Sequence, residues 1–180
     1  MIDIIGKDRV DYVVMDREFI GHRWLDWLQS ASIDFCVRVP KHHTIILADG
    51  AYNAEGLLEG SSQCYQTEVW VNKVRVNVSL SYDDEGKLLY LIGTRKATNL
   101  RKMYRKRWGI EVIFQAFKGR GFRLEESGLS DINKYKKLFA IVSIAYTLCW
   151  ATGITDGKEN PVKVKKHGYP QYSVCLLYTS

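Results

Sequence analysis

The sequence predicts a mixed α/β fold, with strands concentrated in the first half and helices in the last third. Three observations point there: a strand–helix–strand pattern in the first forty residues, short alternating runs between residues 44 and 94, and helical periodicity after residue 98. Strand, helix, strand in so short a span is a βαβ unit, which implies a parallel strand pair. A hydrophobic share of 46% with 26% charged residues is a globular balance that excludes a disordered or collagen-like chain. At 180 residues the chain has the length of one domain, enough to bury about 70% of its unfolded surface.

Each element has a local reason. Val10–Met15 (VDYVVM) is apolar, rich in β-branched residues and too short for an ordinary helix; it stops at Asp16. Ile20–Ser30 places Trp24, Leu25, Trp27 and Leu28 at helical spacing, which predicts a core role for both tryptophans. Ile33–Val39 (IDFCVRV) alternates like a strand, and Pro40 ends it. Thr44–Ala48, Glu68–Tyr82 and Leu88–Gly93 read as strands of an antiparallel β insertion, with Asp49–Gln66 as a loop and Asp83-Asp84-Glu85-Gly86 as a hairpin turn. Thr98 or Asn99 is placed to cap a helix from Leu100 to about Lys118, which Gly119 and Gly121 stop. A second helix is expected over about Asp131–Trp150, with an irregular polar tail after Gly153.

Leu138–Ile154 is an uncharged run of 17 residues, near the lower limit for crossing a bilayer. A helix buried in a soluble core is the simpler reading. The cysteines at 36, 64, 149 and 175 have no zinc-knuckle or redox spacing, so reduced thiols are expected.

Charge is informative through its location. Lysine and arginine outnumber aspartate and glutamate 26 to 20. Between Arg95 and Arg123 stand ten basic residues (95, 96, 101, 102, 105, 106, 107, 118, 120, 123) against the single acid Glu111. Such density is the footprint of a phosphate-binding surface, although a solvated basic face has the same composition. On one continuous helix at about 100° per residue, with Tyr104 at zero, Arg107 falls near 300°, Glu111 near 340° and Lys118 near 320°. The four share a stripe about 60° wide beside an apolar sector of Met103, Ile110, Phe114 and Phe117. A carboxylate among phosphate-gripping side chains suits a site where DNA meets a divalent metal. The pattern alone fits an intrahelical Glu111–Arg107 ion pair equally well.

Tyr104-x-x-Arg107-x-x-x-Glu111, followed by Lys118 after six residues, resembles the Y-(2)-R-(3)-E-(6)-K signature of the IS4 family of bacterial DDE transposases. Trp108, Phe114 and the GFRLEESGLSD stretch are similar to the same family, and Met15–Gly21 (MDREFIG) to its second catalytic aspartate block. The resemblance implies an RNase H-like core with a β insertion between the second aspartate and the glutamate. It implies Asp16 and Glu111 as catalytic, metal-binding carboxylates for Mg²⁺, with Mn²⁺ as a substitute. It also implies Tyr104, Arg107, Lys118 and Trp108 as DNA-binding residues. The implied reaction is hydrolysis and strand transfer at transposon ends, cut-and-paste, by two-metal phosphoryl transfer. The partners would be transposon-end duplex and target DNA, in a homodimeric synaptic complex, without a membrane and near the bacterial nucleoid in the cytoplasm. A non-catalytic DNA-binding remnant, a domesticated regulator and a structure-specific nuclease of the same superfamily are the alternatives.

The family's first aspartate lies on an earlier strand, whereas here only 15 residues precede Asp16, and Asp3, Asp8 and Asp11 lie on or just before its own strand. An N-terminally truncated core is therefore expected. Its divisions would be a partial core over 1–40, a β-rich insertion over 41–95, a helical part over 96–153, and an irregular tail over 154–180. Residues 175–180 resemble a translated sequencing-adapter tail. Other candidates are weaker: His42-His43 reads as a solvated turn, Trp70 as strand packing or a base-stacking platform. Arg17 and Glu18 read as supports for Asp16 or solvated charges, and Glu125 and Glu126 as surface charges, with a place beside the metal site as the alternative.

Overall fold

Val13 and Val14 start the sheet, and in the computed structural model, which describes residues 2–119 and 122–159, strand β1 is Val13–Met15. It is shorter than the apolar run that predicts it. A short helix α1 (Ile2–Ile5) and a 3-10 turn over Lys7–Arg9 come first, and the Val10 amide closes that turn on the Lys7 carbonyl at 3.0 Å. Helix α2 (His22–Ser30) crosses to β2 (Phe35–Arg38), which pairs parallel with β1 from Val13↔Phe35 to Met15↔Val37. The expected βαβ unit is present.

Leu25 and Leu28 are the residues by which α2 enters the core, both fully buried. Trp24 and Trp27, expected there, are instead partly exposed on the helix flank. Three positions apart, their rings stack at 5.1 Å, and Trp24 Nε1 donates to Met15 Sδ at 3.0 Å.

The middle of the chain adds β3 (Ile45–Ile46), β4 (Ala51–Tyr52), α3 (Ala54–Leu58), β5 (Gln63–Val71), β6 (Val74–Tyr82) and β7 (Leu88–Gly93). All join one seven-stranded sheet in the order β1-β2-β7-β6-β5-β3-β4, antiparallel everywhere except β1–β2. Two expectations are corrected. The single run Glu68–Tyr82 is folded in two by Asn72 and Lys73, at φ 48° and 65°, a two-residue turn whose left-handed pair matches strand twist. Without glycine its signal is weak; Asn72 Nδ2 secures it by donating to the Ile20 carbonyl at 2.5 Å. The expected loop 49–66 contains β4, α3 and the start of β5, and Asn53 caps α3 by accepting from the Gly56 amide at 2.6 Å. The turn at 83–86 forms as expected, with the Asp83 amide bonded to the Lys87 carbonyl at 2.9 Å and Gly86 at φ 74°.

The sheet is covered on both sides. One face carries Val37, Val76, Val78, Leu80, Tyr90 and Ile92 in the same cluster as Leu25 and Leu28 of α2. The other carries Cys36, Leu89 and Leu91, on which helix α4 (Ala97–Arg105) lays Leu100, Met103 and Tyr104. Gly93 permits this close approach: a Cβ there would lie 2.4 Å from the Phe35 carbonyl oxygen and 2.7 Å from Leu100 Cδ2.

The predicted continuous helix over 100–118 is two helices. Helix α4 begins at Ala97 after Lys96, not at a Thr98 or Asn99 cap, and α5 spans Trp108–Lys118. Between them Lys106 and Arg107 turn, their amides reaching back three residues to Met103 and Tyr104 at 3.1 and 2.9 Å. Like charges at 101/105 and 102/106 weaken continuation, and Gly109 adds backbone freedom just beyond.

The chain divides into two compact units, Met1–Trp108 and Gly109–Ser180. In the second, Ala116, Phe117, Leu124 and Val142 form a small core, with the Phe117 ring edge-on to Phe139 at 5.3 Å and Tyr146 at 5.7 Å. Helix α6 is longer than predicted, Ile132–Glu159, and runs through Gly153. It is not the buried core helix expected: Ile141, Ile144 and Leu148 are 63%, 62% and 63% exposed. One short helix and a 3-10 turn (Leu124–Ser127) pack on only one side of it. By length and composition alone it is apolar enough to cross a membrane. Of the tail expected to be irregular, residues 154–159 are the end of α6, and residues 160–180 lie outside the described residues.

Candidate functional site

Asp16 is the first residue after β1, and Arg38 is the last of the parallel neighbour β2, so both sit where such strands end and ligands commonly bind. The Asp16 backbone leaves the strand extended and opens a 3-10 turn over Arg17–Phe19, its Oδ1 accepting from the Arg17 amide at 2.8 Å. The carboxylate is thereby held by its own turn, apart from any long-range partner.

Two partners come from far along the chain. The Tyr104 hydroxyl, 88 positions away, donates to Asp16 Oδ1 at 3.3 Å, and the Arg107 guanidinium lies 3.8 Å from Oδ2. Tyr104 is held in place by its buried ring on the sheet, and Arg107 passes 5.6 Å from that ring. Burial and the Asp16 charge push the Tyr104 phenol up, while Arg107 and Arg38 pull it down; the net shift is upward, so it remains a proton donor. The outcome is a partly exposed carboxylate, a neutral phenol and two guanidiniums at one strand end, able to bind cations through the carboxylate and phosphate oxygens through the arginines.

The donor chemistry of Asp16 fits a hard divalent ion such as Mg²⁺. Among the described residues no group of three or more His, Cys, Asp or Glu side chains is gathered, so Asp16 fits as one ligand rather than a whole shell. Asp11 stands at the other end of β1, its carboxylate bonded to Arg95 at 2.6 Å.

The remaining candidates fall as follows. The helix break places Tyr104 and Arg107 in α4 and the turn, and Glu111 and Lys118 in α5, so the four share no single helical stripe. Glu111 is half-buried in the first turn of α5, where a negative charge suits the helix dipole. Lys118 pairs with Glu125 at 3.0 Å, and Arg123 with Glu126 at 3.4 Å, which makes both glutamates surface charges. With the break, Ile110 and Phe114 leave the apolar sector and are exposed, whereas Met103 and Phe117 are buried. Trp108 is 62% exposed and Trp70, on β5, 49% exposed, so strand packing does not bury the latter. Arg17 and Glu18 face solvent. His42 and His43 stack on each other at 4.7 Å in a turn. Cys36, Cys64 and Cys149 are free thiols, and burial pushes the Cys36 thiol up to about 12.

Sequence reasoning missed Arg38. The signal was available: a lone cation at the end of IDFCVRV, in the strand next to the one that ends at Asp16.

Residues 1–148 match the family described as the transposase DDE domain. The chain belongs to that family. Among curated proteins, none matches it. DDE transposase domains have an RNase H-like α/β fold, with which the mixed sheet and its helices are consistent. The family is one of nuclease and transposase enzymes, generally dependent on divalent metal ions, and membership implies DNA as a partner.

Proposed function

We propose that this chain is the catalytic portion of a cut-and-paste DNA transposase of the IS4 type, with Asp16 and Glu111 as metal-binding carboxylates and Tyr104, Arg107, Lys118 and Trp108 as DNA-binding residues. The observation that carries the reading is the convergence of Tyr104 and Arg107 on Asp16 at 3.3 and 3.8 Å, since two separate stretches of family-like sequence meet there. Transposon-end duplex and target DNA are the partners, a homodimer the working assembly and the bacterial nucleoid the place.

The chemistry this requires is in-line displacement at a phosphodiester. A divalent ion bound to the carboxylates would stabilise the charge that develops on the attacking and leaving oxygens. The protein's part is positioning. Tyr104 holds the Asp16 carboxylate in one orientation, and Arg107 and Arg38 offer planar donors for phosphate oxygens in the same place.

Mn²⁺ binding followed by electron paramagnetic resonance, alongside duplex-DNA binding at low salt, tests the proposal. Asp16→Asn should weaken Mn²⁺ affinity about tenfold or more, and Arg107→Ala should weaken duplex binding. Mn²⁺ affinity unchanged by Asp16→Asn, or a chain that binds no duplex, overturns it.

A further inference from the structure

Helix α4 has a second working side. At about 100° per residue, Asn99, Lys102 and Lys106 fall within about 60° of one another and about 160° from Tyr104. They line a cavity of about 230 Å³ whose other walls include Asp11, Tyr12 and Arg95. This cavity lies toward the beginning of β1, whereas Asp16 follows its end.

Its charges are unevenly matched. Arg95 Nε donates to Asp34 at 2.6 Å and its Nη2 to Asp11 Oδ1 at 2.6 Å, so one guanidinium occupies both acids. Arg95 and Lys106 stand on the Tyr12 ring at 5.0 and 5.1 Å from its centroid, which fixes the floor of the cavity. Lys102 and Lys106 are in no ion pair among the described residues, unlike Arg75, Lys87, Arg95, Arg101, Lys118 and Arg123. Lys106 is held by the Tyr12 side chain, with Arg95 as the like charge acting on it, and Lys102 stands one helical turn earlier. A bound anion would meet both ammoniums, and the Asn99 side chain adds a neutral donor beside them.

We infer that this cavity is a phosphate-binding site for the backbone of duplex DNA, separate from the Asp16 centre and served by Lys102, Lys106 and Asn99. The assignment rests on the transposase reading of the chain. Lys102 on α4 and Lys106 in the turn that ends it present point charges rather than bidentate forks, which suits sequence-independent contact with phosphates.

The test measures binding of the whole chain to a short fluorescent duplex of arbitrary sequence across a salt series. Lys102→Ala with Lys106→Ala should reduce the slope of log K against log salt by about 1.8, two phosphate contacts' worth. Lys102→Arg with Lys106→Arg should keep the wild-type slope, with unchanged circular dichroism in both variants. An unchanged slope in the alanine variant overturns the inference, while weakened binding in Arg107→Ala leaves the transposase reading standing. A wild-type chain that binds no duplex overturns both. Inorganic phosphate at matched ionic strength supplies the other arm. If it perturbs tyrosine fluorescence in wild type but not in the alanine variant, with the DNA slope still unchanged, the cavity takes small anions and not DNA.

Discussion

The two compact units bury their helices to opposite extents. In the first, α4 sets Leu100, Met103 and Tyr104 against Leu89 and Leu91, and Leu100 and Leu91 are fully buried. In the second, α6 leaves Ile141, Ile144 and Leu148 more than half exposed around a core of a few aromatic rings. A sheet covered on both faces excludes water from its central strands β2, β6 and β7; a pair of helices with one short turn buries far less. The first unit therefore carries most of the chain's packing stability, and the same apolar residue type should cost different amounts in the two places.

The largest effect should come from Gly93, where α4 lies closest to the sheet. Gly93→Ala forces a Cβ into the space of the Phe35 carbonyl and Leu100, backbone included, and should destabilise the first unit by about 3 kcal/mol or more in urea unfolding. Leu28→Ala should cost about 2–5 kcal/mol through the cavity it leaves. Ile144→Ala in α6 should change stability by about 0.5 kcal/mol or less. Equal costs for Leu28→Ala and Ile144→Ala would erase the contrast between the units.

Much of this was legible in sequence. Val13–Met15, Phe35–Arg38 and Leu88–Gly93 announce themselves by β-branched or alternating apolar residues, and the parallel pair follows from the short crossover. The turn at Asn72-Lys73 was hidden because its left-handed backbone is secured by a bond to Ile20, which no local pattern records. The break at Lys106-Arg107 was hidden because periodicity continues across it even though the backbone does not. Trp24 and Trp27 have helical spacing suited to a core, yet Leu25 and Leu28 occupy it. Of the candidate site, Tyr104 and Arg107 were legible as part of a helical stripe with Glu111 and Lys118, and Asp16 through the family resemblance; Arg38 was not, because its role depends on which strand lies beside β1.

A functional contrast follows from the same geometry. Asp16 has a phenol and guanidiniums around it, but the described residues gather no cluster of three carboxylates. Nicking of supercoiled DNA with Mg²⁺ or Mn²⁺, read on gels, should be lost in Asp16→Ala if Asp16 serves the metal. Nicking that survives Asp16→Ala would remove Asp16 from the metal site.

A subtler effect should be the pH dependence of the first unit. Burial raises the Asp34 carboxyl, but the Thr94 hydroxyl and the Arg95 guanidinium outweigh it and hold it below its ordinary 3.8. The folded chain then binds fewer protons at this group than the unfolded chain does between the two values. Its stabilising contribution is complete above the ordinary value and is lost as pH falls through the lower folded one. The carboxylate is partly exposed, so solvent screening reduces the effect, and Asp34→Asn should cost about 1 kcal/mol at neutral pH. The variant should also lose less stability than wild type when urea unfolding is repeated at successively lower pH below 4. Parallel curves for the two proteins would mean that Asp34 does not link β2 to Arg95 energetically. Arg95 would then be held by Asp11 alone, and the floor of the lysine-lined cavity would rest on one ion pair instead of two.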